Sequence, residues 1–428
     1  METDRRSGGR ELHERALYEL LYEGGAATRT ELARRAQLSK PAVSDIIESL
    51  VDAKIVEPAG SVQGRSGPAA TLFAIRPKVA HGIGIDLGGT KIHGVIGDLG
   101  GQLLDERRVP TDPRGGGHVV DQIASMCEEL VAGLPSDAGD VHHVALGSPG
   151  IVDPTTGLMK LAYNLRGFDR IDLAAALEAS FPAAVHVDND VNMAAEGERF
   201  DQTATTSDNF VYISVGTGIG MALVLDGYIC RGHRGAAGEI AYLPLGTDPF
   251  DPENQQRGPL EEAVDGHAIL QRFSQWRDDT DTALEADATV PMIFEAASAD
   301  DPLAVRVVDE EARLIALSIT AIAAVLDPER VILGGGIGSA PPLLPAVRSW
   351  LARLMTDPPV TQRSLLGTRA PLVGALGVAL SATRDDLLDI RLRGRHPSRL
   401  AGHTRSRRLE PHLRRHEAGE NDSSQVTS

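Results

Sequence analysis

The chain has 428 residues, 42% apolar and 24% charged, which suits two or three domains with real cores and excludes wholesale disorder. Its formal charge of −18 is uneven: the first 80 residues hold 12 Lys and Arg against 11 Asp and Glu, the last 38 hold 9 Arg against 4 acids, and −24 falls between them. Contact with nucleic acid therefore belongs to the ends, because the acidic body repels phosphates. Two cysteines, Cys127 and Cys230, make no disulfide framework and point to a reducing compartment. The polar start and the lack of an apolar run near the ~20 residues a bilayer needs add the expectation of a cytoplasmic protein without membrane contact.

Residues 10–57 read as three short helices. Ala16, Leu17, Leu20 and Leu21 mark a first helix from about Glu11 to Glu23, closed by Gly24-Gly25. Thr28 and Glu31 form a capping-box pattern that opens a second helix to Ala36. After the tight Gln37-Leu38 link, Ser39 caps a third, with Pro41 in its first turn and Val43, Ile46, Ile47, Leu50 and Val51 on one face. Lys40, Ala42, Ser44, Asp45 and Glu48 look outward.

A short helix, a tight turn and a helix with small polar residues at its start is the helix-turn-helix order, with the second of the pair entering the major groove. Strands at Ile55–Glu57 and Thr71–Ile75 flank a wing, in which Arg65 between glycines suits a minor groove. Ser39, Lys40, Ala42, Ser44, Asp45 and Arg65 are the candidate DNA-binding residues. A helical domain for protein contact is the alternative; the near-zero charge of the head favours it slightly, and the order of elements outweighs that.

From Val79 the pattern changes to strands and glycine turns. Gly82–Asp86, the turn Leu87-Gly88-Gly89-Thr90 and Lys91–Gly97 are followed some 130 residues later by Phe210–Val215, Gly216-Thr217-Gly218-Ile219-Gly220 and Met221–Leu225. Two copies of strand, glycine turn, strand and hairpin imply two similar lobes facing each other. Glycine turns let backbone N–H groups approach a phosphate, although a plain tight hairpin explains one such turn alone. A third run, Gly334-Gly335-Gly336, follows a helix over about Leu303–Leu326 and a strand at Arg330–Leu333, and is suited to cover an adenosine ring. Asp86 is placed to orient a Mg²⁺-bound water, Thr90 to donate a hydroxyl and Lys91 to balance charge. In Val187-Asp-Asn-Asp-Val-Asn192, Asn189 offers a donor and an acceptor to a polyol, and Asp190 can take the proton of an attacking hydroxyl; an Asx turn at a strand end is the plainer reading.

Together these residues resemble the ROK family (repressor, open reading frame, kinase) of the actin-like ATPase superfamily. The likeness runs from about Ala80 to Leu388 through Asp86-Leu-Gly-Gly-Thr-Lys91, Gly147-Ser-Pro-Gly-Ile-Val-Asp153, Tyr163-Asn-Leu-Arg-Gly167, Val187–Asn192, Gly216–Gly220, Gly235-Ala-Ala-Gly-Glu-Ile240 and Val331-Ile-Leu-Gly-Gly-Gly336. It implies an α/β chain: a winged helix-turn-helix over residues 1–78, then a two-lobed actin-like (ribonuclease H-like) domain over 79–390, with lobes at about 79–205 plus 375–390 and at 206–374. Gly150, Asn189, Asp190, Glu239 and Glu261 would line a sugar pocket with Asp190 as general base, and the three glycine turns would hold ATP.

Two departures matter. Tyr242 stands where the family often has a sugar-touching histidine, and its phenol can still hydrogen-bond a hydroxyl. The zinc cysteines are replaced by Pro252-Glu-Asn-Gln-Gln-Arg-Gly-Pro259, so no structural zinc is expected, and the loop Gly246–Gly258 is expected to be mobile without ligand. Residues 391–428, rich in Arg and poor in apolar residues, read as a disordered basic tail.

The expected function is a sugar-responsive transcriptional regulator, in most relatives of this build a repressor, acting as a homodimer or homotetramer on operator DNA with a sugar or sugar-phosphate effector. DNA binding requires no cofactor; ATP and Mg²⁺ are candidate ligands of the lobes. The competing reading is an ATP-dependent sugar kinase carrying an accessory head.

Overall fold

The computed structural model describes residues 2–63, 69–153, 156–160, 165–201, 205 and 207–397, with side chains from Gly9 onward. The head begins with α1 (Glu2–Gly24), which starts nine residues before the expected position. Next come β1 (Ala27–Thr28), α2 (Arg29–Ala36) and α3 (Lys40–Asp52). Thr28 Oγ1 accepts from Glu31 N–H at 3.2 Å and Ser39 Oγ from Ala42 N–H at 3.4 Å, so both expected caps form. Gln37 ends α2 in the left-handed region, at φ 57°, which makes the turn tight. Val43, Ile46, Ile47 and Leu50 are buried, while Lys40, Asp45 and Glu48 are exposed and Ala42 and Ser44 half-buried. β2 (Val56–Val62) and β3 (Ala70–Ile75) complete the sheet in the order β1-β3-β2. The wing residue Arg65 lies outside the described residues.

The first lobe follows, with β4 (His81–Leu87), β5 (Lys91–Asp98), β6 (Leu103–Pro110), α4 (Gly117–Ala132) and β7 (Val141–Ser148). Then come β8 (Ile151–Val152), β9 (Met159–Lys160), α5 (Leu173–Ser180), β10 (Ala184–Asn189) and α6 (Asp190–Phe200).

The second lobe has β11 (Phe210–Val215), β12 (Ile219–Leu225), β13 (Tyr228–Ile229), α7 (Pro252–Gln255), α8 (Pro259–Val264), α9 (Gly266–Trp276) and α10 (Val290–Ser298). It continues with α11 (Pro302–Leu326), β14 (Arg330–Gly334), α12 (Gly335–Gly338), α13 (Leu343–Leu354) and β15 (Val360–Arg363), and the chain closes with α14 (Ala370–Arg393).

The expected repeat is present as topology. Strands run β10-β7-β4-β5-β6 in one sheet and β15-β14-β11-β12-β13 in the other. In each, a three-stranded antiparallel meander is extended on one side by parallel strands. Side chains from β4, β7 and α4 fill one core, and β11, β14, α9 and α11 fill the other.

Helix α14 binds these parts together. Its first residue, Ala370, lies in a cluster with Phe210 and Tyr212 of the second lobe. Its middle lies on α6 and on the first-lobe sheet with no room to spare: a Cβ at Gly374 would collide with the Met193 carbonyl, one at Gly197 with the Ala370 carbonyl, and one at Gly84 with the Leu376 backbone. Its end carries Leu387 and Leu388 into the same core as Leu17, Leu21, Leu50 and Phe73 of the head.

The helix runs three residues past the point where a disordered tail was expected. The arginines there find partners: Arg391 donates to the Val79 carbonyl at 2.8 Å, and Arg393 pairs with Glu14 at 2.9 Å and Asp389 at 3.0 Å. Arg395 adds a pair with Asp389 at 3.3 Å. The rest of that stretch, from residue 398, lies outside the described residues. No helix among the described residues is long and apolar enough to cross a membrane.

Replacing Gly374 by Ala puts a methyl against backbone that no rotamer change relieves. Gly374→Ala should therefore cost about 1–3 kcal/mol or more and lower the thermal midpoint by several degrees. Gly117→Ala, with nothing within 4 Å of the added carbon, should change it little, and calorimetry on both variants checks the pair.

Candidate functional site: a carboxylate group and three glycine turns

The strand ends place the polar residues. β4 delivers Asp86 just before its turn, and β10 ends at Asn189, whose Oδ1 accepts from Val191 N–H at 2.8 Å and Asn192 N–H at 3.3 Å to cap α6. Its Nδ2 donates to the Gly150 carbonyl at 3.0 Å. Asn189 is thus an Asx cap that also fixes Gly150, at φ +97°. Asp190 follows as the first residue of α6, half-buried. Asp188 behind it receives the fork of Arg231 at 2.6 and 2.9 Å and the Asn192 amide at 2.8 Å, which fixes the strand end.

Four carboxyls share one field. Burial, then the neighbouring Asp190, pushes Asp86 up to about 6 against the pull of Lys91. Burial also raises Asp190, against its backbone N–H contacts. Glu239 is raised by burial, then by Glu261 and Asp190. Glu261 is raised by burial, although the Ile219 N–H at 3.1 Å and Arg257 at 3.0 Å favour its charge. A half-buried group of acids, two at first-lobe strand ends and two on the second-lobe loop before Ile240 and on α8, suits a neutral polyhydroxylated ligand, whose hydroxyls donate to carboxylates.

The turns differ in construction. Gly88 N–H donates to Lys91 O at 2.9 Å and Thr111 Oγ1 to Gly88 O at 2.7 Å, leaving Gly89 and Thr90 exposed at the tip. Gly216 N–H donates to Gly218 O at 2.9 Å, and a Cβ at Gly218 would lie 2.5 Å from Glu261 Oε2. Gly334 sits on the buried Tyr212 phenol, which excludes any side chain there, and Gly335 turns at φ +76°. A carbon built on Gly216 would be 3.8 Å from Gly336 N, so the second and third turns lie side by side. Ser364 Oγ donates to the buried Glu198 of α6 and also accepts from Gly367 N–H at 2.8 Å, tying α6 to the chain beyond β15. Burial, opposed by Ser364, pushes Glu198 up to about 7.

Tyr242 is held to the adjoining loop, its hydroxyl donating to the Gln256 carbonyl at 3.2 Å. Sequence reasoning missed Arg231 and Arg257. The only available signal was spacing, Arg257 standing four residues before Glu261 and eight before Asp265. In the resemblance motifs, Tyr163 lies outside the described residues.

Asp86 also supplies a pH test. Its folded pKa lies above the ordinary value, so the stability it supports is complete below pH ~4 and is lost as pH rises through ~6. Asp86→Asn should leave the ligand-free thermal midpoint unchanged at pH 4 and raise it at pH 8, with the difference growing between those limits in a thermal-shift titration.

Comparison with known proteins extends this geometry. A model of the ROK family matches residues 82–382. A glucokinase of Halalkalibacterium halodurans is 31% identical over 60% of this chain and 81% of its own length. A xylose repressor of Bacillus subtilis is 21% identical but aligns over 89% of this chain and 97% of its own. A crystal structure of a ROK family transcriptional regulator, a homolog of E. coli MLC protein, superposes with a TM-score of 0.71 at 22% identity, covering 90% of this chain and all of that one. With seven ordered motifs, the duplicated sheet and a family match over more than two thirds of its length, the chain belongs to the ROK family.

Proposed function

We propose that this chain is a sugar-responsive DNA-binding regulator of the repressor type. One observation carries the reading: the helix that begins at the carboxylate group packs without a gap on a second helix, and that second helix ends in the core of the winged helix-turn-helix head. α6 opens at Asp190 in the pocket, α14 rests on α6 without a gap, and Leu387 and Leu388 at its far end share a core with Leu17 and Leu50. A ligand that changes how the lobes close on α6 has a direct mechanical path to α3. The relatives that align over about nine tenths of this chain carry regulator or repressor names, whereas the glucokinase covers 60% of it.

In this reading residues 1–78 form the DNA-binding unit, and Lys40, Ala42, Ser44 and Asp45 face the major groove, with Ser39 at the helix start and Arg65 in the wing. The effector is a sugar held by Gly150, Asn189, Asp190, Glu239 and Glu261 in residues 79–390, while Tyr242 steadies the adjoining loop. The operator places the protein in the cytoplasm. Two heads of a homodimer or homotetramer reach half-sites ~34–36 Å apart, so a modest rotation of one head breaks half of the contacts.

The kinase reading is favoured by Asp86, Asp190 and the turns at Gly88-Gly89, Gly216-Thr217-Gly218 and Gly334-Gly335, which together fit Mg²⁺-ATP beside a sugar. ATP and Mg²⁺ would supply the phosphoryl group and its charge neutralisation. Asp190 would take the sugar hydroxyl proton and Lys91 would balance the phosphates.

Fluorescence anisotropy with DNA from upstream of the gene and its neighbours, run against a panel of pentoses and hexoses, separates the two. The regulator reading expects specific binding that one sugar weakens at least ~10-fold, a coupling of about 1.4 kcal/mol or more, and Asp190→Asn to blunt that response. Absence of specific binding, together with sugar-dependent ADP release at ~1–100 s⁻¹ that Asp190→Asn abolishes, would overturn it in favour of the kinase.

A further inference from the structure

Zinc-containing members of the family resembled here hold the loop before α8 with cysteine ligands, and the residues present do not fit that ion. Pro252 to Pro259 contain neither Cys nor His, and among the described residues no group of three or more His, Cys, Asp and Glu is arranged to hold a metal. This segment instead carries a guanidinium, that of Arg257. Arg257 Nε donates to Glu261 at 3.0 Å, and Nη2 donates to Asp265 at 2.8 Å and to the Thr217 carbonyl at 3.3 Å. Nη1 lies 3.4 Å from Glu262.

Its partners are themselves committed. Glu261 holds Ile219 N–H at 3.1 Å, and Asp265 caps α9 through Ala268 N–H at 2.8 Å. The backbone leading to Arg257 is equally constrained: Gly258, at φ +100°, has no space for a Cβ beside the Ala241 carbonyl, and Tyr242 grips Gln256. One side chain therefore joins the loop, the pocket carboxylate, the start of α9 and the second glycine turn.

We propose that Arg257 is a positioning residue that takes over the mechanical task of a structural metal, holding Glu261 and the Gly216–Gly220 turn in the geometry that receives the ligand. A planar fork with five donors can serve three acceptors at fixed angles, whereas a lysine ammonium cannot span them. The claim about ligand binding rests on the sugar-pocket reading; the claim about geometry does not.

Hydrogen exchange on the full chain tests the geometry without any ligand. In Arg257→Ala the amides of residues 216–220 and 258–268 should exchange at least ~10-fold faster, the scale of losing one charge-assisted hydrogen bond. Amides of β4 and β7 should be unchanged, Arg257→Lys should resemble Arg257→Ala, and EDTA should leave the wild type unaltered. For whichever sugar shifts the wild-type melting temperature most, calorimetric Kd should weaken at least ~10-fold in Arg257→Ala and in Glu261→Gln, with the double variant no weaker than Glu261→Gln alone.

Unchanged or uniformly faster exchange, additive losses of affinity, or an EDTA effect that mimics Arg257→Ala would overturn the proposal. If no sugar binds the wild type, the pocket reading fails, while the exchange result still decides the role of Arg257.

Discussion

The gapless contact between α6 and α14 is the constraint on which the rest of the architecture depends. Gly197 and Gly374 bring two helix backbones so close that a methyl group on either has no place, and helices so joined move together rather than slide. α6 begins at the carboxylate pocket and reaches the chain beyond β15 through Glu198 and Ser364. α14 begins against second-lobe residues and crosses the first-lobe sheet. In the proposed regulator, closure of the lobes would displace this helix pair as a unit.

What the far end of α14 touches gives that displacement a consequence. The Arg384 guanidinium lies 4.8 Å from the Tyr22 ring centroid, and Arg15 donates to the Asp385 carbonyl at 3.3 Å. Arg393 joins Glu11 and Glu14 of α1. The head is thus seated on α14 through apolar burial with a polar rim. In the proposed regulator, a ligand would shift the head only by its difference in affinity for two arrangements of this contact. In that reading the acids are the basis of the difference: burial, then Glu261 and Asp190, raises Glu239, and hydroxyl donors from a ligand would favour its charged form.

Much of this was legible in the sequence, and the reason is local. Caps at Thr28 and Ser39, the apolar face of α3, and the strand-glycine-strand grammar at Asp86 and Val215 are short-range patterns, and the structure bears each of them out. The family motifs added Asp190, Glu239 and Glu261, whose fields meet in the structure. Long-range facts were not legible. Nothing near Gly334 announces that Tyr212, more than a hundred residues earlier, lies beneath it. Arg391 and Arg393 read as tail because their acceptors, Val79 and Glu14, are over three hundred residues away. α14 shows no polar face in its sequence because it is covered on several sides by different domains.

The central claim of the proposal is that α14 conveys the state of the carboxylate site to the head, and the buried Arg384 guanidinium over Tyr22 is one of its junctions. Operator affinity measured with and without the effector sugar, in the wild type and in Arg384→Met, tests it most directly. Loss of the guanidinium should leave sugar-free operator affinity within about threefold, while the ratio of the two affinities falls toward one as the coupling of about 1–3 kcal/mol is lost. A ratio equal to that of the wild type would contradict the account.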